Sequence, residues 1–330
     1  MSKLVTIYGG SGFVGRYIAR RLAKNGWRVR VAVRHPNEAM HVKPYGVPGQ
    51  VEPVFCNIRD DASVRQVMQE ADAVVNCVGV LNEVGRNKFD AVQYEGAERV
   101  ARIAAESGVD RMVQISSIGA DKDADSEYSR TKAMGEEAVQ SHMPNAVILR
   151  PSVMIGPEDN FFNRFAGMTR FGPILPVVGA ATKFQPVYVD DVAHAAVLGV
   201  EGQAAPGIYE LGGPEVETFR ALMQRMLKIV HRRRLIVNMP FFIARVMAFG
   251  FDMVQKATLG LITNGVLTRD QLHNLRRDNV VSEGAQGFDA LGITPKSMAT
   301  ILPEYLWRFR PSGQYDDIRD SARNMRTDQL

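Results

Sequence analysis

Leu4-Val5-Thr6-Ile7-Tyr8-Gly9-Gly10-Ser11-Gly12-Phe13-Val14-Gly15, running on into Arg16-Tyr17-Ile18-Ala19-Arg20-Arg21-Leu22, decides the fold. The first five residues read as a buried strand, and the segment after Gly15 reads as an amphipathic helix. Between them Gly9, Gly12 and Gly15 recur at every third position. Gly9 makes the sharp turn out of the strand, Gly12 lets backbone approach a pyrophosphate, and Gly15 lets helix and strand pack closely. The helix start offers free N–H groups to the phosphates. Ser11, Phe13 and Val14 lie in the same loop and join its cofactor-binding residues.

Outward from this loop, apolar runs alternate with helical periods to about residue 155. Strands are expected at 4–8, 28–33, 51–56, 73–78, 111–116 and 146–150, and helices at 14–25, 62–69, 94–107 and 128–141. The strands are solidly apolar, as burial on both faces requires. The reading is α/β: a Rossmann-type doubly wound parallel sheet with right-handed crossovers. Beyond Arg150, glycines and prolines such as Gly156-Pro157, Gly172-Pro173 and Gly212-Gly213-Pro214 punctuate a smaller C-terminal α+β part. Residues 1–155 are expected to form an NADP(H)-binding domain, with strand and helix returns near 185–212. Residues 156–310 would then be a loop-rich docking domain and 311–330 an extended arm.

The strand tips name the cofactor. The second strand ends at Val33-Arg34, where an NAD site would present a carboxylate to the ribose hydroxyls. A guanidinium suits a 2′-phosphate instead, because it can fork two hydrogen bonds onto it; the alternative is an ordinary surface arginine. The expected cofactor is therefore NADP(H), with Arg16 a possible second phosphate contact. Asn57 and Ile58 would flank the adenine, and Val78, Gly79 and Val80 would let the cofactor's middle pass close to the backbone.

Composition narrows the classes. The chain is 330 residues, 45% hydrophobic and 23% charged, which excludes fibrous, disordered and disulfide-rich proteins. Cys56 and Cys77 sit in apolar runs and read as buried, reduced thiols. No cluster has metal-ligand spacing, so no metal is expected. A net charge of +4 without a basic stripe argues against nucleic acid. Met1-Ser2-Lys3 runs straight into the first strand, which suits a bacterial cytoplasmic protein.

Tyr128-Ser129-Arg130-Thr131-Lys132 places Tyr128 and Lys132 on one helical face. With Ile115-Ser116-Ser117, Leu149-Arg150-Pro151-Ser152-Val153 and Pro186-Val187-Tyr188-Val189-Asp190-Asp191, it resembles the extended and atypical short-chain dehydrogenase/reductase superfamily. The resemblance implies Tyr128 as acid/base and Lys132 as the residue that lowers its pKa and holds the nicotinamide ribose. Ser116, Pro151 and Val153 would also bind cofactor. The superfamily's carbonyl-polarising Ser or Thr falls nearest Ile118, with Ser117 as the substitute. Tyr128, Lys132 and Ser117 are therefore vestigial catalytic candidates.

Further segments, Arg130-Thr131-Lys132-Ala133-Met134-Gly135-Glu136, Met168-Thr169-Arg170-Phe171-Gly172-Pro173-Ile174 and Leu267-Thr268-Arg269-Asp270-Gln271, resemble one branch. It is the nucleotide-binding accessory subunits of respiratory complex I, in bacterial form. The branch implies tight, non-catalytic binding of NADPH, with the other complex I subunits as partners. It implies a peripheral place on the cytoplasmic face of the bacterial inner membrane, near the quinone site. An active reductase or epimerase and an NADP(H)-occupancy sensor are the other readings.

Residues 240–262 bear on this independently. Arg245, Asp252 and Lys256 share one helical face and the rest is apolar, so the helix suits lipid or protein contact, or else this domain's own core. The preceding Lys228 and His231-Arg232-Arg233-Arg234 could meet anionic headgroups or simply be solvated.

Overall fold

The computed structural model describes residues 2–257, 268–313 and Tyr315. The proposed 311–330 arm lies outside the described residues from 316 onward, as do residues 258–262 of the apolar segment. Along the first half run β1 (Leu4–Tyr8), α1 (Phe13–Lys24), β2 (Arg28–Val33), β3 (Val51–Phe55), α2 (Asp61–Met68) and β4 (Ala73–Asn76). They are followed by α3 (Glu95–Glu106), β5 (Arg111–Ile115), α4 (Glu127–His142) and β6 (Val147–Pro151). The second half begins with β7 (Met154–Ile155), α5 (Phe162–Met168), β8 (Ile174–Val178), β9 (Lys183–Phe184) and β10 (Val187–Tyr188). Next come α6 (Val189–Glu201), β11 (Gly207–Leu211), β12 (Glu217–Thr218) and α7 (Phe219–Ile229). The last elements are β13 (Leu235–Met239), α8 (Phe241–Ala257), α9 (Arg269–Asn274) and α10 (Met298–Leu306).

Seven strands form one sheet in the order β11-β6-β5-β4-β1-β2-β3. Every pairing in it is parallel; in register, Val5 faces Val29 on one side and Ala73 on the other. This is the expected Rossmann-type α/β fold. Helices α1 and α6 cover one face, where Ile18, Leu22, Val192 and Ala196 join the strands' Val5, Ile7 and Val31. Helices α2, α3 and α4 cover the other, with Val64, Val100 and Val139 against Tyr8, Val74 and Met112. Two-sided burial explains the unbroken apolar runs.

The expectation of solidly apolar strands fails at β3, the sheet's edge, where Glu52 and Phe55 are exposed. Three strands also end earlier than their apolar runs do. Ladder bonds do continue, since Cys77 N donates to Tyr8 O at 2.9 Å and Ser116 N to Leu149 O at 2.7 Å. Then Asn76 Oδ1 accepts from Val78 N at 3.1 Å and turns the chain out of the sheet.

The C-terminal part gathers round a second core, in which Phe162, Phe184, Phe219, Met226 and Ile301 are buried. Phe161 stacks on Phe219 with ring centroids 5.6 Å apart. Helix α8 is not a core helix along its described length. Ala244 and Ala248 pack against Val178 and Leu272. Phe242 and Val246, each 69% accessible, face outward.

Candidate functional site

The glycine loop crowns β1. Gly9 takes φ +73°, a left-handed conformation open to glycine. A Cβ on Gly15 would lie 2.5 Å from the Gly9 carbonyl oxygen and 2.7 Å from Gly10 Cα, so the helix can approach the turn only because that atom is missing. Helix α1 begins after Gly12 with no side-chain cap and no acidic residue in its first turn. By contrast α2, α4 and α7 are capped by Asp60, Ser126 and Thr218. The uncapped amides and the positive end of the helix dipole suit an anion. Arg16 braces the loop itself. It donates to the Gly12 and Ser11 carbonyls at 3.2 and 3.1 Å and lies 3.7 Å from Glu158.

Two cavities lie along the carboxyl ends of the strands, at the switch point where ligands enter open α/β sheets. One, about 310 Å³, is lined by Gly9, Ser11, Gly12, Arg34, Asn57, Ile58, Val78, Gly79 and Val80. The other, about 560 Å³, is lined by Gly12, Phe13, Val14, Gly79, Val80, Ser116, Ser117, Tyr128, Lys132, Pro151 and Val153. Gly12, Cys77, Gly79 and Val80 border both, so the two make one groove. Among the residues proposed from sequence, Gly15 and Arg16 border neither: Gly15 sits behind the turn, and Arg16 is turned onto the loop carbonyls and Glu158. Arg34 is exposed at the groove mouth and makes no hydrogen bond or ion pair among the described residues.

Cys56 is buried, but Cys77 is only partly so, because it forms part of the groove wall rather than the core. Burial pushes the Cys77 thiol up to about 12 against the opposing charge of Lys132, and the Cys56 thiol up to about 11. Both stay protonated at neutral pH.

At the far end of the groove, Lys132 is buried and its Nζ donates to Ile115 O at 3.2 Å. A Cβ on Gly79 would stand 3.3 Å from that ammonium; its absence leaves the charge open to the groove. The Tyr128 ring packs edge-on to Phe89 with centroids 6.0 Å apart. Ser116, proposed to bind cofactor, has its hydroxyl committed to Glu136. Glu136 also accepts from Arg150 Nη2 at 2.6 Å, and Arg150 reaches Glu210 at 3.4 Å. Ser117 differs: its Oγ is buried, its residue lines the larger cavity, and it has no hydrogen-bond partner among the described residues. Ile118 lines the same cavity but carries no hydroxyl, so the available hydroxyl is that of Ser117.

Sequence reading missed the outer wall, which comes from α9 and the segment after it. Asp270 accepts from Ser126 Oγ at 2.8 Å and from Glu127 N at 2.7 Å, clasping the start of the helix that carries Tyr128. Asn274 Oδ1 accepts from Ser129 Oγ at 3.1 Å, and Asn279 Oδ1 from Ser152 Oγ at 2.6 Å. Asp270, Gln271, His273 and Asn274 all line the larger cavity. The capping box of Thr268 and Gln271 was a readable signal for this helix, though not for where it docks.

Comparison with known proteins agrees with the fold. Residues 5–212 match the model of the NAD dependent epimerase/dehydratase family. NADH dehydrogenase [ubiquinone] 1 alpha subcomplex subunit 9 of Arabidopsis thaliana is 36% identical over 316 residues, 94% of this chain and 79% of that protein. The NADH-ubiquinone oxidoreductase 40 kDa subunit of Neurospora crassa is 31% identical over 94% of this chain and 80% of its own. The dTDP-glucose 4,6-dehydratase of Streptomyces venezuelae, solved with NAD bound, superposes with a TM-score of 0.70 over 96% of this chain and 98% of that one. At 19% identity it reports the shared fold.

Proposed function

Because the chain belongs to the NAD dependent epimerase/dehydratase family, and within it to the group of the complex I 1 alpha subcomplex subunit 9 and 40 kDa subunit proteins, we propose that it is an accessory subunit of respiratory NADH:ubiquinone oxidoreductase. In this reading it holds NADP(H), in the reduced form NADPH, as a structural cofactor without turnover. It docks on the peripheral arm close to the membrane and quinone site, on the cytoplasmic face of a bacterial inner membrane. Its partners are other complex I subunits, with lipid-surface contact through residues 240–262. Residues 1–155 are the cofactor domain and 156–310 the docking domain.

The observation that carries the cofactor assignment is a side-chain-free cradle beside an uncommitted guanidinium. The cradle suits a diphosphate in shape and polarity, and Arg34 borders the same cavity, which supports a 2′-phosphate as its partner. Lys132 supplies a fixed ammonium for the ribose next to the nicotinamide, and NADPH bound there would offer a hydride. The groove's walls come from both halves of the chain, so a ligand in it ties them together. At a thousandfold excess over Kd, such a ligand stabilises the folded state by about 4 kcal/mol.

Arg34→Ala is expected to weaken NADPH binding about 30-fold while leaving NADH binding nearly unchanged, as removal of a charge-assisted fork implies. Titration of both nucleotides by fluorescence checks this. Equal losses for the two would count against a 2′-phosphate at Arg34. Membranes carrying Tyr128→Phe are expected to oxidise NADH at the wild-type rate with quinone as acceptor; a large fall would contradict the non-catalytic reading.

One observation favours a second reading, an active reductase or epimerase. The unpartnered Ser117 hydroxyl shares a cavity with Tyr128 and Lys132, which together could polarise a carbonyl and deliver a proton. Steady NADPH consumption by the isolated chain with a carbonyl substrate, abolished by Ser117→Ala, would decide for it.

A further inference from the structure

We propose that Arg16 and Glu158 set the glycine loop's affinity for a diphosphate from outside the groove: Arg16 raises it by fixing the loop's peptide units, and Glu158 lowers it by offsetting the charge of that guanidinium. The inference deepens the cofactor part of the proposed function and rests on it. Arg16 Nε donates to the Gly12 carbonyl at 3.2 Å and Nη2 to that of Ser11 at 3.1 Å. The Gly12 carbonyl and the Phe13 amide belong to one peptide unit, and in a trans unit the two point opposite ways. Holding the carbonyl on the outer side therefore aims the amide away from the guanidinium, on the side of the groove that Gly12 and Phe13 line. Arg16 also covers two carbonyl dipoles whose negative ends would otherwise stand bare near an anion. It adds a positive charge to the start of α1, where the helix dipole already favours one. Arg16 is thus a positioning residue rather than a phosphate contact.

Glu158 works against this. It lies between β7 and α5, so it reaches the loop from the second half of the chain. One carboxylate oxygen stands 3.7 Å from Arg16 Nη1, and the other accepts from the Tyr17 hydroxyl at 2.9 Å. Burial, and then the hydrogen bond to Glu158, keep that hydroxyl protonated. The turn that presents Glu158 is firmly held: the next residue, Asp159, is buried and accepts from the amides of Phe161 and Asn163, each at 3.0 Å. The side chains of Arg16 and Glu158 are 25% and 41% accessible, so water weakens their attraction without erasing it. The carboxylate therefore adds little to stability, yet it cancels part of the field that Arg16 presents to a bound anion.

The test is titration of the full-length chain, stripped of nucleotide, with NADPH and with NADH. Glu158→Gln keeps an acceptor for Tyr17 and removes only the charge. It is expected to bind both nucleotides about fivefold more tightly, the size of a partly exposed charge contact, with the gain shrinking in high salt. Arg16→Gln should bind both about 10-fold more weakly. That equal loss separates it from Arg34→Ala, which acts on NADPH alone. Adenosine 2′-monophosphate, which carries no diphosphate, should bind the wild type and Glu158→Gln alike. Unchanged or weaker nucleotide binding by Glu158→Gln would make the carboxylate a merely structural contact and overturn the proposal. So would an equal gain for adenosine 2′-monophosphate, which would mark general surface charge. A folded wild type that takes up neither nucleotide would sink the cofactor reading and this proposal with it; a wild type that binds both, with Glu158→Gln unchanged, overturns this proposal alone.

Discussion

Gly12→Asp is expected to abolish NADP(H) binding while leaving the fold intact. At Gly12 the backbone has φ −69°, a conformation open to any residue. A Cβ there meets only the Gly9 carbonyl oxygen, at 3.1 Å, so the loop needs to give by a few tenths of an ångström. The added carboxylate, however, stands where both cavities meet, facing the place of the pyrophosphate. Like charges about 4 Å apart near a protein surface repel by about 4 kcal/mol, so affinity should fall at least about 100-fold even in this open groove. Thermal unfolding without nucleotide should change little, whereas the stabilisation that NADPH confers on the wild type should vanish. Complex I assembled with the variant should be depleted in this subunit. A variant that still gained stability from NADPH would mean the diphosphate lies elsewhere.

Arg150→Met is expected to produce the largest loss of intrinsic stability, about 3–5 kcal/mol, the range for stripping a buried carboxylate of its cation. The side chains of Glu136 and Glu210 are 4% and 8% accessible, and Arg150 stands between them. Their hydrogen bonds hold the guanidinium still more firmly protonated than usual. Without it two acidic groups share one buried site, and one must take up a proton or drag in water. Glu210 also accepts from Ser282 N at 2.8 Å, so the disturbance reaches the segment that follows the site's outer wall. Urea denaturation measures the loss. Adding Glu136→Gln and Glu210→Gln to the arginine variant should recover a large part of it. A deficit below about 1 kcal/mol for the single variant would show that the trio is solvated and worth no more than a surface pair.

Much of the fold could be read directly because a buried parallel strand advertises itself: no polar residue can alternate through it. Leu4–Tyr8 and Arg28–Val33 appear with the expected limits. The errors fall where another force takes over. Phe55 is apolar yet exposed because β3 has no outer neighbour, and β4 stops early because the Asn76 side chain captures a main-chain amide. The groove's strand-tip residues were legible because each follows its strand directly. The hydroxyl choice between Ser116 and Ser117 was not, since it depends on Glu136 arriving from another helix. Asp270 was equally hidden: it reaches Ser126 across 144 positions of chain, a distance over which local pattern carries no information.

Helix α9 is only six residues long, and His273 borders both the Tyr128 end of the groove and the cavity against α8 lined by Phe241, Arg245 and Phe249. Fewer than two turns of helix are thus a party wall between two chambers. Whatever leans on it from one side changes the room on the other, and equilibrium makes the debt mutual: an occupant that tightens nucleotide binding by some factor must itself be held more tightly by that factor once the nucleotide is in place.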